Sequence, residues 1–142
     1  MKQIETDICI IGGGSGGLSL AAGAVQAGAR VVLFEGGQMG GDCLNSGCVP
    51  SKALLAAAKA AYLANGNAAM GITNTPPNID FAAAKAHVAD VIAQIEPHDS
   101  VARIEALGVT VIPEMAHFTG PRAVASATYQ LRAKYIVIAS GS

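Results

Sequence analysis

The chain's first apolar run, "IETDICII" at residues 4 to 11, ends at "GGGSGG", six residues of which only Ser15 is not glycine. Such a run bounded by glycines reads as a buried strand, Ile4 to Ile11. Leu18 to Ala27 has helical character with Gly28 as its stop, and "RVVLFE", residues 30 to 35, is the β-branched and aromatic run of a second buried strand. Strand, helix and strand in so short a span make a βαβ unit. An alanine-rich segment from Ser51 to about Asn65 predicts a helix, and residues 65 to 78, "NGNAAMGITNTPPN", predict an exposed loop. A second long helix is expected from Asp80 to about Glu96, where Pro97 ends or kinks it, and Asp99 or Ser100 would cap a shorter piece ending near Gly108. Beyond Gly108 the period becomes strand-like through "VTVI", "MAHFT", "RAVAS", "YQLRA" and "YIVIAS". The expectation is a parallel strand, a small antiparallel meander and a final buried strand, Tyr135 to Ala139. The fold class is therefore α/β, a Rossmann-like parallel sheet with helices and a β-meander.

Composition narrows the choice of partner. With 142 residues the chain has the length of one ordinary domain, and a net charge of −1 gives no basic field for nucleic acid or an anionic membrane. Hydrophobic residues make up 51% and charged residues only 13%, an excess that predicts close-packed helices or faces awaiting a partner. The amino terminus lacks the layout of a signal peptide, and Gln26, Arg30 and Lys59 interrupt every approach to an apolar stretch of about 18 residues. A cytoplasmic protein with no membrane partner is expected. In that reducing setting a close cysteine pair is more often catalytic, redox-sensing or metal-binding than a permanent staple.

Gly12-x-Gly14-x-x-Gly17 lies between the first strand and the first helix, and Glu35 ends the second strand 23 residues after Gly12. The glycines serve a tight turn, the approach of backbone to a pyrophosphate, and close packing of helix on strand, while an acid at Glu35 accepts hydrogen bonds from a ribose. The alternative is a glycine-rich turn in another α/β protein with a surface glutamate. The motif itself does not distinguish a flavin from a nicotinamide dinucleotide.

Cys43 and Cys48 stand five positions apart in a chain whose only other cysteine is Cys9. Five residues of helix rise about 7.5 Å, beyond the roughly 4.4 to 6.8 Å that a disulfide allows between α-carbons. Pairing needs a compact irregular turn, which Asn45 and Gly47 permit. Closing so short a loop stabilises a fold by only about 2 kcal/mol, against about 4.7 for a 100-residue loop. A reversible dithiol suits the spacing better, since a helix beginning near Cys48, with Lys52 close by, favours a thiolate. Zinc bound by the pair together with His87 and either His98 or His117 is a second reading, short of the usual second tight pair. Two unpaired core cysteines are a third, and Cys9 on its buried strand fits that inert kind.

"GGDCLNSGCVPSK", residues 40 to 52, closely resembles the redox motif of the class I pyridine nucleotide-disulfide oxidoreductases, flavoproteins that include dihydrolipoamide dehydrogenase, glutathione reductase and mercuric reductase. The likeness extends to "IIGGGSGG", "VVLFE" and "YIVIASGS", in family order along the whole chain. It implies FAD as the dinucleotide, with Gly12, Gly14, Ser15 and Gly17 around the pyrophosphate and Glu35 at the adenosine ribose. Gly41 and Asp42 would line the flavin's phosphate and ribitol region, and Ala116, Ser140 and Gly141 would complete the adenine and flavin contacts. Cys43 would be the interchange thiol, Cys48 the thiolate facing the isoalloxazine ring, and Lys52 a neighbour of its reactive nitrogen. Electrons would run from NAD(P)H through flavin and the cysteine pair to a small-molecule disulfide or a metal ion. The family usually has threonine at Asp42 and often at Ser140, and "PSK" is nearer the dihydrolipoamide dehydrogenase and mercuric reductase branches. Residues 1–142 correspond to the amino-terminal part of the family's FAD domain, so an incomplete domain is expected, without the NAD(P)H-binding and interface domains or the histidine that the longer homodimers supply. The segment alone would then be inactive. A free-standing nucleotide-binding or thiol-sensing module is the other expectation.

Overall fold

A computed structural model describes residues 1–142. Its elements in chain order are β1 (Lys2–Ile11), α1 (Ser15–Gln26), β2 (Val31–Phe34), α2 (Gly41–Asn45), α3 (Cys48–Ala64), β3 (Gly66–Asn67), β4 (Ile72–Thr73), α4 (Phe81–Asp99), α5 (Val101–Ala106), β5 (Thr110–Ile112), β6 (His117–Gly120), β7 (Ala123–Ala125) and β8 (Tyr129–Ile138). Six strands form one sheet in the order β5-β2-β1-β8-β7-β6, with β5, β2, β1 and β8 parallel and β7 and β6 antiparallel. The chain moves from β1 to β2 on one side and returns to β8 on the other. That reversal opens a crevice at the carboxyl end of β1, where open α/β sheets bind ligands.

Burial on both faces explains the uninterrupted apolar runs of β2 and the end of β1. On one face Ile10, Val31, Leu33 and Val111 meet Leu18, Ala21 and Ala24 of α1 and Ile104 of α5. On the other, Cys9, Val32, Phe34 and Ile112 pack with Val124, Leu131 and Ala133 from the meander and the first half of β8. Each fully buried Leu, Ile or Phe contributes roughly 1.5 to 3 kcal/mol. Ile4 and Cys9 pack on the same cluster although five residues of a regular strand would set them on opposite faces. A bulge accounts for this: the N–H groups of both Asp7 and Ile8 donate to the Arg30 carbonyl, at 3.2 and 3.1 Å.

The βαβ unit and the parallel β5 follow the sequence pattern, while three expectations need correction. "YQLRA" and "YIVIAS" form the single strand β8, because β1 pairs with it along its whole length while β7 pairs only with its first half, and its final segment, expected to be buried, leaves Tyr135 and Ile138 exposed. The region expected to be a loop at 65 to 78 contains the β3–β4 hairpin around a 3₁₀ turn at Ala68–Met70. Pro97 does not end α4, which runs to Asp99; so near the carboxyl end its missing N–H costs only one helical bond. The break falls at Ser100, in extended conformation, whose Oγ accepts the Arg103 N–H at 3.3 Å and caps α5. No helix is long and apolar enough to cross a membrane.

Candidate functional site

The crevice at the end of β1 is a cavity of about 330 Å³ lined by the glycine loop, Glu35, the start of α2 and the chain after β8. Gly12, Gly14, Glu35, Gly41, Asp42, Ser140 and Gly141 all border it. Gly17 does not: it is buried one turn into α1, where an added Cβ would stand 1.9 Å from the Gly12 carbonyl oxygen, so its role is to let helix and strand touch. Ser15 is exposed at the first position of α1, and no side chain caps that helix, leaving its first-turn N–H groups for a ligand.

Glu35 ties two loops together. Its carboxylate accepts the Gly13 N–H and the Gly37 N–H, both at 2.6 Å. Of about four acceptor positions on a carboxylate, two remain for a sugar's hydroxyl groups. The Gly13 carbonyl in turn accepts the Gly40 N–H at 2.9 Å, so one residue, through its N–H and its carbonyl, links Glu35 to the segment leading into α2. Gly41 follows at φ +57°, and a Cβ there would meet the Gly14 α-carbon at 2.7 Å. Only glycine allows the redox segment and the glycine loop to lie this close.

The two cysteines occupy consecutive short-range structures. Leu44, 2% exposed, anchors α2, which carries Cys43, and Cys48 opens α3. Between them the N–H groups of Ser46 and Gly47 converge on the Asp42 carbonyl at 3.0 and 2.6 Å, folding the chain into the compact turn that the spacing demands. Asn45 steadies this turn by donating from Nδ2 to the carbonyls of Gly41 at 2.8 Å and Met39 at 3.1 Å. Pro50 falls in the first turn of α3, where its missing N–H disrupts nothing. Both thiols are free; Cys43 is half-buried and Cys48 exposed. Hydrogen bonding with Cys48, followed by burial, raises the Cys43 thiol above its ordinary range, while the Lys52 ammonium pulls it down. Cys9 lies apart in the core, where burial pushes its thiol up to about 12.

Asp42 borders the cavity, but its carboxylate accepts the Ser46 hydroxyl. Ala116 borders a neighbouring hollow of about 120 Å³ together with Phe34, Met115 and Ser140, and Lys52 lies outside both. The three histidines lie on α4 and β6, and no three His, Cys, Asp or Glu side chains gather as a metal-binding group. Gln38, Asn45 and Ser46 also border the main cavity, beyond the residues expected there. Asn45 carried a signal as a turn former; Gln38 carried none.

The cavity suits part of a dinucleotide. Glycine backbone and an uncapped helix end border it, the Glu35 carboxylate lies beside them, and the volume falls at the lower end of the roughly 300 to 1,000 Å³ of small-molecule sites. Comparison with known proteins points the same way. A mercuric reductase of Bacillus cereus is 34% identical over 97% of this chain and 22% of its own length. A dihydrolipoyl dehydrogenase of Pseudomonas aeruginosa is 36% identical, covering all of this chain and 32% of that protein. The structure of the HOCl-induced flavoprotein disulfide reductase RclA from Escherichia coli, in its Cu(II) complex, matches with a TM-score of 0.76 and 25% identity over 95% of this chain and 28% of that one. The chain thus spans between a fifth and a third of the length of these relatives. The family model described as pyridine nucleotide-disulphide oxidoreductase matches residues 6–142, and the chain belongs to that family.

Proposed function

We propose that this chain is the FAD-binding, dithiol-bearing segment of an NAD(P)H-dependent disulfide oxidoreductase of the dihydrolipoamide dehydrogenase or mercuric reductase kind. The observation that carries this reading is the shared residue Gly13: Glu35 holds its N–H, and the segment leading to Cys43 holds its carbonyl. Gly12, Gly14, Ser15 and the first turn of α1 bind the pyrophosphate, Gly17 keeps that turn against β1, and Glu35 takes the adenosine ribose. Gly41 and Asp42 border the flavin's phosphate and ribitol, with Ser140 and Gly141 closing the cavity and Ala116 beside the adenine. FAD bound there would supply a two-electron carrier between NAD(P)H and the cysteine pair.

The cysteines do the remaining chemistry. A Cys43–Cys48 disulfide that gains two electrons and two protons becomes the dithiol. The Cys43 thiolate then attacks one sulfur of a substrate disulfide, expelling the other as a thiolate that takes up a proton. Cys48 attacks Cys43 in the mixed disulfide, which restores the internal bridge and releases the second substrate thiol. Lys52, one helical turn after Cys48, contributes positive charge beside the pair. Turnover would draw on an NAD(P)H site and an acid-base group from the longer protein and its homodimer, so the 142 residues alone would show no steady-state activity.

The test is to saturate the purified chain with FAD, remove free cofactor by gel filtration and record the visible spectrum before and after thiol reduction. A retained flavin band that shifts when the dithiol forms is the expected result. Retention with a spectrum indifferent to the thiol state would remove Cys48 from the flavin, and steady-state reduction of lipoamide or mercuric ion by this chain alone would overturn the dependence on further domains.

A further inference from the structure

At the opposite end of the sheet from the glycine loop lies a depression of about 200 Å³ bordered by Glu5, Thr6, Arg30, Arg122, Arg132, Ala133 and Lys134. Seven residues of extended chain separate Glu5 from Gly12, a span of about 23 Å at strand rise. Four of the chain's nine basic residues gather here, although the whole molecule carries a net charge of −1.

Strand register and the bulge bring these cations together. Arg132 lies beside Glu5 of β1 and opposite Ala123 of β7, and the Arg122 carbonyl accepts the Ala133 N–H at 3.1 Å, which sets Arg122 next to the same point of β8. The bulge at Asp7 directs a carboxylate towards Arg30 and Lys134, with Asp7 Oδ2 3.3 Å from Arg30 Nε and Oδ1 2.8 Å from Lys134 Nζ. Lys134 first, and then Arg30, hold Asp7 below the usual carboxylate range. Both of the chain's ion pairs go to this one carboxylate, so the Arg30 terminal amino groups and the guanidinium groups of Arg122 and Arg132 keep their donors free.

We propose that this edge is an oxyanion-binding cradle in which Arg30, Arg122, Arg132 and Lys134 hold a small, multiply charged group such as a phosphate or clustered carboxylates. Guanidinium forks match both geometries. Only Ala133 is apolar among the bordering residues, which disfavours a nucleobase or an acyl chain. Four cations face two carboxylates, Glu5 and Asp7, so the field is positive but moderated. Because the cradle is open, with the Arg30 and Lys134 side chains 68% and 67% exposed, binding is weak and falls with ionic strength.

The test is a residue-resolved NMR titration of the full chain with inorganic pyrophosphate and, separately, with citrate, at ionic strength held constant with sodium chloride. Saturating shifts are expected at residues 5–7, 30, 122 and 132–134, separable from any at the glycine loop. The double substitution Arg122→Gln/Arg132→Gln weakens them at least about tenfold, Glu5→Gln tightens binding about twofold to threefold, and Lys59→Gln/Lys85→Gln on α3 and α4 changes nothing, consistent with a local electrostatic site. Saturation by pyrophosphate alone identifies phosphate as the group held, and saturation by citrate alone identifies clustered carboxylates. Shifts that never saturate, that sodium chloride reproduces, or that survive the arginine substitutions with unchanged affinity would overturn the proposal.

Discussion

Helices α1 and α4 are both rich in alanine, yet α1 buries Gly17, Leu18, Ala21 and Ala24 while α4, seven residues longer, buries none. The difference is positional. Short connections fix α1 between adjacent parallel strands, so its apolar side must lie on the sheet, whereas α4 packs mainly on α3, whose only buried residue is Ala53. Large apolar side chains remain uncovered on this pair, among them Leu55, Tyr62, Leu63 and Phe81. Helix stability in proteins comes mostly from such burial rather than from propensity. The candidate site straddles the two regions: Cys43 is tied through Gly40 and Gly13 to the well-packed half, and Cys48 begins the helix that leads away from it.

Thiol reactivity gives the largest expected contrast. With its thiol pushed up to about 12, Cys9 reacts with iodoacetamide at pH 8 about a thousandfold more slowly than an ordinary exposed thiol. Cys48, which is exposed, labels well ahead of Cys9. Mass spectrometry of timed aliquots checks this, and labelling of Cys9 alongside Cys48 in native protein would mean that the core opens far more readily than its packing implies. Raising the pH increases Cys9 labelling up to about 12, since its thiolate population grows throughout that range.

Truncation in each region comes next. Leu33→Ala, at a fully buried position of β2, costs about 3 kcal/mol in denaturant unfolding. Leu55→Ala, at a position 67% exposed on α3, changes stability by less than about 0.5 kcal/mol. Equal losses would show that the helical pair is covered in solution, by another copy of the chain or by a partner.

Glu35→Gln has a smaller effect. The amide keeps one acceptor oxygen and presents a donor to either Gly13 or Gly37, so one backbone N–H loses its partner at a cost of about 1 to 3 kcal/mol. Amide exchange at Gly13 and Gly37 in the unliganded chain accelerates about tenfold or more. Unchanged exchange would confine Glu35 to ligand binding and remove its part in shaping the loop.

Much of the well-packed half was legible because local signals agreed with tertiary ones. "IETDICII", the glycines and "RVVLFE" each allow little besides strand, turn and strand, and Gly28 stops α1 where expected, with φ +85°. The redox turn was legible in its need for compactness, since five residues of helix or strand hold two cysteines too far apart. The short helix α2 within it was not, because it depends on Leu44 finding the core and on Gly41 lying against Gly14. Contacts between distant segments explain the other misses. The bulge at Asp7 depends on the Arg30 carbonyl, and β8 is continuous because β1 pairs with it from Tyr129 to Ile138, with β7 covering only its first half. The carboxylate bridge from Glu35 to Gly13 and Gly37 is also absent from any local pattern.

The smallest effect separates the two regions most sharply, because it alters the same kind of contact in each. Ser100 caps α5 through the Arg103 N–H, and Asp80 caps α4 through the Ala83 N–H at 3.0 Å. Replacing either with alanine removes a cap worth about 1 kcal/mol to its helix. Since α5 is docked through Ile104, 4% exposed, fraying it uncovers core, and Ser100→Ala lowers global stability by nearly that full amount. Since α4 buries nothing, its first turn frays without disturbing the sheet; Asp80→Ala leaves the global unfolding midpoint almost unchanged and instead raises amide exchange about fivefold in the first turn of α4. A midpoint shift from Asp80→Ala as large as that from Ser100→Ala would mean that α4 unfolds together with the core, and the helical pair would then be as integral to the domain as the βαβ unit.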